Sequence, residues 1–377
     1  MTPNYTSGIG SLQELPALLK KYNAKKTLLV TGKGSYAACG AAAVIDPVFA
    51  PGSVIRFSDF AVNPKIEDAE RGTQIARDAG VDLILAVGGG SPMDMAKLIK
   101  AFYADPSKAH ALTKGEVQMT DPGLPLIAVP TTAGSGSEAT HFAVAYIGKD
   151  KYSLASPYLL PEEIILDGRL LASSTPYQRA CNGLDALAQA IESVWAAGST
   201  EESRAYSWEA IEKLMRPLPA VVADHADDAA FQDMIVSANL AGRAINISKT
   251  TAAHAWAYGL TGHHDVPHGH AVWLTLPEIV GIHAEAPDDQ ITDPRGPAHV
   301  HAIMDRLLPM LNANTPGEAT QVLRDFMVGI GAEPDMEKLG ADTPEQRRFL
   351  SRQVNMQRMS NNPVGLNDAA ISRIFRL

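Results

Sequence analysis

Cysteine is scarce. Cys39 and Cys181 are the only two in 377 residues, too few for a disulfide framework and too far apart for a CxxC metal or redox motif. They read as ordinary buried or idle thiols. No stretch approaches the roughly 20 apolar residues needed to cross a bilayer, and residues 1–22 lack a basic segment followed by an apolar core. A cytoplasmic location without a membrane partner is therefore expected. A long basic run is missing too: 32 Lys+Arg against 42 Asp+Glu leaves a net charge of −10. Nothing obvious would replace phosphate counterions, which argues against nucleic acid as the principal partner. There is no internal repeat and no low-complexity linker. What the chain does have is length and apolar content, 46% hydrophobic, enough for two or three packed units.

The first half alternates short β-rich runs, Lys26-Thr31, Ser53-Phe57, Val81-Val87 and Leu124-Val129, with helix-length segments such as Pro64-Ala79. That rhythm predicts parallel strands joined by crossover helices. Phe142-Ile147 and Tyr152-Ala155 suggest a small antiparallel addition. From about Pro176 the spacing turns helical, in Ala180-Ala197, Glu202-Met215, Asp228-Ile247 and Ala298-Leu311. Two domains are expected, an α/β Rossmann-like unit with a parallel sheet over 1–175 and an all-α unit over 176–377.

Gly88-Gly89-Gly90 follows the apolar run 81–87 directly and precedes Ser91-Pro92, which reads as an N-cap residue with proline at the first helical position. Residues without side chains let a phosphate approach the backbone, and the amides of a new helix favour its charge. A tight turn without a ligand is the competing reading. The pattern is neither a Walker A loop nor an ordinary GxGxxG fingerprint. Asp94 and Lys97 stand on the first turns of that helix, where a solvated face is the plain alternative. A second loop, Pro130-Thr131-Thr132-Ala133-Gly134-Ser135-Gly136-Ser137-Glu138, follows Val129, and its hydroxyls could hold ribose and nicotinamide at the carboxyl edge of the sheet.

In the helical half, Asp185 and Gln189 lie four apart on one helix face. His254, His263, His264, His268 and His270 crowd the span 250–277, where Pro267-His268-Gly269 interrupts the helical pattern. Imidazole and carboxylate together suit Fe, Zn, Ni or Co. Any one of these histidines taken alone reads as a core or surface residue.

These residues together resemble the iron-containing (group III) alcohol dehydrogenases, within the dehydroquinate-synthase-like fold. Gly88-Gly89-Gly90-Ser91-Pro92-Met93-Asp94-Met95-Ala96-Lys97 is similar to that family's GGGSxxDxAK motif, and 130–138 to its PTTxGTGSE loop. Gly183-Leu184-Asp185-Ala186-Leu187, and His268-Gly269 with Leu276-Pro277, resemble the C-terminal signatures. The likeness runs from Gly8-Ile9-Gly10-Ser11-Leu12 to Asn362-Pro363.

The resemblance implies a cleft that holds NAD(P)H and one divalent metal, Fe2+ first, with Zn2+, Ni2+ or Mn2+ as alternatives. Its ligands would be Asp185, Gln189, His254 and His268. Gln189 departs from the family's usual histidine, and Tyr258 stands where many relatives carry another; the phenol either relays a proton or packs. Gly32 occupies the position where NAD-preferring relatives have an acid. Lys33 and Ser35 could therefore meet a 2′-phosphate, which favours NADPH over NADH. Lys151 is similar to a lysine that reaches the nicotinamide ribose. Gly88, Gly89, Gly90, Ser91, Asp94, Thr131, Thr132 and Ser135 complete the implied cofactor site.

The implied activity is carbonyl reduction of a small aldehyde. Lys249, in Asn246-Ile247-Ser248-Lys249-Thr250-Thr251, places a cation and three hydroxyls five residues before a proposed ligand. Simple-diol relatives tend to have small neutral residues there. The stretch resembles phosphonoacetaldehyde reductases, so an anionic aldehyde is expected, and a surface lysine is the plain alternative. A neutral aldehyde or diol, a non-redox lyase of the dehydroquinate-synthase type and a catalytically silent metal- or nucleotide-binding protein are the other readings. The resemblance also implies a homo-oligomer, since the family's members are often dimers or larger.

Overall fold

The computed structural model describes residues 3–223 and 227–377. There are two compact units. One runs to Ser174 and takes in Asp227–Asn239; the other starts at Thr175 and resumes at Leu240 through Leu377.

The strands of the first unit are β1 (Asn4–Ser7), β2 (Thr27–Thr31), β3 (Val54–Phe57), β4 (Leu83–Gly88), β5 (Leu126–Pro130), β6 (Phe142–Ile147), β7 (Asp150–Ala155) and β8 (Glu163–Leu166). All but β6 and β7 form one parallel sheet in the order β1-β8-β5-β4-β2-β3. Strands β6 and β7 make the expected antiparallel hairpin. Every residue of β2, β4, β5 and β8 is buried, because crossover helices cover both faces of a parallel sheet. Leu83, Leu85 and Val87 point into one core with Leu29, Ile127 and Val129.

The sequence pattern does not reveal β1 and β8. β1 is a short polar edge, Asn-Tyr-Thr-Ser. β8 opens on Glu163, a charge in an interior strand. It is tolerated there because its carboxylate accepts from Lys21 Nζ at 2.5 Å, Tyr22 Oη at 2.9 Å and Asn4 Nδ2 at 3.1 Å.

The helix Asp228–Ser248 begins in the first unit, a return that one change of character near 173–176 does not anticipate. Gln232 explains it. Its Oε1 accepts from the Gly168 amide at 2.9 Å, and its Nε2 donates to Leu166 O and Ser7 Oγ, both at 3.0 Å. Gly168 makes the approach possible, since a β-carbon there would lie 2.5 Å from the Gln232 nitrogen.

The second unit is helical, as expected. Its central helix, Pro176–Trp195, starts at a Thr175/Gln178 capping box with Pro176 in the first turn and is buried at nearly every position from Arg179 onward. Ala252–His264, His268–Trp273 and Leu276–Glu285 follow as three short helices. Among the described residues no helix is long and apolar enough to cross a membrane.

Candidate active site

Strand order reverses in the sheet between β2 and β4: the connection from β2 leads outward to β3, while that from β4 leads the other way to β5. Ligands of open parallel sheets gather beyond the carboxyl ends of strands at such a point. Gly88 pairs with Pro130, so the glycine turn after β4 and the threonine loop after β5 leave the sheet side by side. Their backbones are joined by a hydrogen bond from the Thr131 amide to Gly88 O at 2.9 Å. Gly88 has φ +154, and a β-carbon on it would lie 2.6 Å from the Pro92 ring. At Gly89 the same atom would lie 3.0 Å from Thr132 Oγ1, and at Gly90 3.1 Å from Ser135 Oγ. The two hydroxyls thus ride directly over bare backbone at the start of the helix Gly90–Tyr103.

One expectation about that helix is corrected and one alternative is excluded. Ser91 is not the N-cap: Gly89 is, and the Ser91 hydroxyl donates instead to Val62 O in a neighbouring loop. Lys97 is not on a solvated face. It is wholly buried, and its ammonium donates to the carbonyls of Ser137 at 2.5 Å, Thr140 at 2.7 Å and Phe142 at 2.9 Å. A charge can stay buried when it is saturated with acceptors in this way. Asp94 works beside it, accepting from Ser137 Oγ at 2.6 Å and the Val144 amide at 3.1 Å. Burial raises its pKa, opposed by Lys97, Ser137, Val144 and Lys151. Asp94 and Lys97 therefore pin the end of the threonine loop and the segment after it to the helix Gly90–Tyr103. Lys151, exposed on β7, lies within electrostatic reach of Asp94.

At the end of β2, Gly32 is half-buried, and Lys33 and Ser35 are exposed. Lys33 Nζ pairs with Asp59 at 2.9 Å, both side chains mostly in water, an arrangement that contributes little energy. Sequence reasoning missed Arg56. Its guanidinium donates to Thr31 Oγ1 at 2.8 Å and to the carbonyls of Gly32 and Lys33 at 2.9 Å, and it stacks on the Tyr36 ring at 4.8 Å. It adds a fixed positive charge beside Gly32.

In the second unit, Asp185, His254 and His268 each offer a ligand atom, and these atoms lie within 4.8 Å of one another. Asp185 comes from the helix Pro176–Trp195. His254 sits in the first turn of Ala252–His264, and His268 opens His268–Trp273. Gly269 makes the approach possible, because a β-carbon there would run into the Cys181 carbonyl and come within 2.8 Å of Asp185 Cβ. Gln189 is buried one turn after Asp185; its side chain hydrogen-bonds the Asp185 carboxyl, and its buried Oε1 has no hydrogen-bond partner in the protein.

His254 lies between two carboxylates, with Nε2 3.3 Å from Asp185 Oδ1 and Nδ1 2.5 Å from Glu192 Oε2. Burial alone would lower its pKa, but Glu192 and Asp185 outweigh it and push it up to about 9. Positive charge is what this arrangement favours at His254 Nε2, whether carried by a proton or by a metal ion. Two imidazoles and a carboxylate that converge in this way suit one divalent first-row cation, and the buried Gln189 Oε1 is an acceptor left over on the same helix as Asp185.

Glu192 was missed by sequence reasoning. It is fully buried and accepts from the amides of Thr251 at 3.1 Å and Ala253 at 2.7 Å and from Thr251 Oγ1 at 2.9 Å, besides holding the His254 ring. The 185, 189, 192 spacing on one helix face was the signal available. Of the other nearby histidines, His263 packs on Phe349 with centroids 5.1 Å apart. His270 is tied to Tyr177 Oη and Glu333 O, both at 2.8 Å. Tyr258 stands 6.0 Å from His268, ring to ring.

Lys249 is half-buried at the end of Asp228–Ser248. Two of the three hydroxyls around it are corrected: Ser248 Oγ is buried against Ser193 Oγ at 2.7 Å, and Thr251 Oγ1 is taken by Glu192 and by Trp195 Nε1, each at 2.9 Å. These two hydroxyls brace the fold.

Comparison with known proteins agrees with these features. The family described as iron-containing alcohol dehydrogenase matches residues 2–168, and its C-terminal counterpart matches 179–377. A long-chain-alcohol dehydrogenase of Geobacillus thermodenitrificans is 29% identical over 98% of this chain and 93% of that protein. A phosphonoacetaldehyde reductase of Streptomyces viridochromogenes is 33% identical over 78% of this chain and 75% of its own length. Among solved structures, the sulfoacetaldehyde reductase from Bifidobacterium kashiwanohense in complex with NAD+ superposes with a TM-score of 0.87 at 27% identity, covering 99% of this chain and 96% of that one.

Proposed function

This chain belongs to the iron-containing alcohol dehydrogenase family, as an oxidoreductase of the alcohol dehydrogenase and aldehyde reductase type, and on that premise we propose its substrate. It is a small aldehyde bearing an anionic group, with phosphonoacetaldehyde, reduced to 2-hydroxyethylphosphonate, as the specific candidate. The observation that carries this reading is the half-buried Lys249, five residues before His254. The relatives support it: the substrates named for two of them are both two-carbon aldehydes ending in a tetrahedral acid group.

Asp185, Gln189, His254 and His268 would hold the divalent ion, with Fe2+ as first choice and Zn2+, Ni2+ or Mn2+ as alternatives. When bound, the ion supplies Lewis acidity to the carbonyl and the dihydronicotinamide supplies hydride, so that aldehyde, NAD(P)H and a proton become alcohol and NAD(P)+. Glu192 fixes which nitrogen of His254 faces the ion and raises its basicity. Tyr258 holds the proton that completes the alcohol. Bare backbone at Gly88, Gly89 and Gly90 receives the pyrophosphate, with Thr131, Thr132 and Ser135 lining its path and Lys151 reaching for the ribose. Gly32 brings no carboxylate to repel a 2′-phosphate, and Lys33, Ser35 and Arg56 supply positive charge and a hydroxyl, which favours NADPH over NADH.

The test is steady-state kinetics with NADPH on phosphonoacetaldehyde and propanal after reconstitution with each of the four metals. Lys249→Met is expected to raise KM for the phosphonate by about tenfold or more and to leave propanal nearly unchanged. Equal effects on both aldehydes would remove Lys249 from anion recognition. Conversion of a substrate without net change in NADPH absorbance would point to non-redox chemistry instead.

A further inference from the structure

Helix Asp228–Ser248 gives way to a residue in an unfavourable conformation: Lys249 has φ +63, in the left-handed region where a β-carbon is crowded. Glycine would sit there without strain, so the side chain is retained at a conformational cost. One residue clamps the turn. Asn361 Nδ2 donates to the carbonyls on either side of Lys249, Ser248 O at 2.8 Å and Thr250 O at 3.0 Å. Ser248 Oγ donates to Lys249 O at 2.9 Å.

The segment that supplies Asn361 is itself fastened at two places. The Asn361 amide donates to Arg358 O at 3.1 Å, closing the turn Met356–Met359. Six residues earlier in the chain, the Asn355 amide donates to Ala255 O at 3.1 Å, and Ala255 directly follows His254. The stretch 355–361 therefore links the lysine turn to the helix that carries a metal-ligand candidate, and Arg358 stands in the middle of it. Arg358 is half-buried, and its carbonyl accepts from the amide of the asparagine that clamps the lysine turn; burial, with the positive charge of Arg358 added, pushes the pKa of Lys249 down to about 8. Among the described residues the Arg358 side chain enters no ion pair. Two like charges in a half-buried place repel each other, and an anion between them reverses the sign of the interaction.

We propose that Arg358 and Lys249 form a two-cation clamp for the acid group of the substrate, with Arg358 a specificity-determining residue and Asn361 the positioning residue that holds Lys249 toward it. This rests on the anionic-aldehyde reading and adds the second cation. The chemistry of the pair defines the ligand: a guanidinium presents two parallel N–H donors, and an ammonium acts as a compact point charge. A tetrahedral phosphonate or sulfonate can turn two oxygens to the arginine and a third to the lysine. A planar carboxylate has only two oxygens to share.

The experiment compares wild type, Arg358→Met, Arg358→Lys, Lys249→Met and Asn361→Ala as metal-loaded protein. It reads kcat/KM for phosphonoacetaldehyde, sulfoacetaldehyde and propanal, together with calorimetric titration of ethylphosphonate, an unreactive probe. Wild type is expected to favour both anionic aldehydes over propanal. Arg358→Met should lower kcat/KM for them about 10- to 100-fold through KM and weaken ethylphosphonate alike, with propanal changed by less than about threefold. Arg358→Lys should recover part of the loss, and Asn361→Ala should show a smaller one. If Arg358→Met leaves the anionic-to-neutral ratio as in wild type while Lys249→Met lowers it, the clamp is wrong and the anionic reading stands. A uniform loss on all three aldehydes gives Arg358 a structural role and also overturns the clamp. A wild type that neither prefers the anionic aldehydes nor binds ethylphosphonate overturns both.

Discussion

At the carboxyl end of β4 the surface offered to a ligand is backbone; around Asp185 it is side chains. Gly88, Gly89 and Gly90 contribute by having nothing beyond Cα, so that Thr132 and Ser135 can close over them. Asp185, His254 and His268 contribute ligand atoms delivered from three helices, and the ring of His254 is set by a fourth residue, Glu192. The first region is specified by a run of adjacent residues leaving one strand. The second exists only once Gly269 allows two helices to approach. Contiguity makes a site readable in a sequence, and convergence makes it depend on packing.

The sharpest way to break this comparison is to remove one converging side chain. His268→Ala is expected to lower kcat by a factor of about 1000 or more, as loss of an interaction made at the reacting centre does, while NADPH affinity stays within about twofold. Fluorescence titration beside steady-state rates checks both, and a parallel collapse in NADPH binding would mean that the two regions are not independent. The reciprocal change is Gly89→Val. A branched side chain 3.0 Å from Thr132 Oγ1 should weaken NADPH about 10- to 100-fold with bound metal, read by elemental analysis, unchanged.

The smallest effect concerns what lies behind the side-chain region. His283 is buried against Trp195 with centroids 4.6 Å apart, and burial pushes its pKa down to about 3, with Glu192 and Asn362 opposing. The folded pKa is depressed, so the unfolded chain binds the extra proton. Stability from this group is complete above an unfolded pKa of about 6.5 and is lost as pH falls from there toward 3. Between pH 7 and pH 5 the loss is about 2 kcal/mol. His283→Leu should therefore show a smaller drop in Tm over that interval than wild type, and an identical drop would assign the acid sensitivity elsewhere.

Much of the fold was legible locally. β2 to β7 and the long helices fall where runs and periodicity put them, because a strand buried on both faces must be apolar and a packed helix must repeat every three or four residues. β1 and β8 were not legible. A four-residue polar edge carries no hydrophobic signal, and Glu163 is acceptable in an interior strand only because Lys21, Tyr22 and Asn4 come to it from distant positions. Lys97 shows the same effect from the other side: a lysine reads as solvated until three carbonyls from 137–142 close on its ammonium. Two of the three hydroxyls near Lys249, those of Ser248 and Thr251, read as anion ligands until Ser193, Glu192 and Trp195 are seen to use them.

By itself the sequence determined the strand-glycine-helix unit and the helix face shared by Asp185 and Gln189, because backbone conformation and helical spacing are properties of neighbours along the chain. The family resemblance picked His254 and His268 out of five clustered histidines; only the tertiary structure decided how they meet Asp185, that Glu192 orients one of them, and that Asn361 clamps the turn of Lys249. Those pairings span up to 113 positions, and the free energy that fixes them is the burial and mutual satisfaction of groups that no local pattern records.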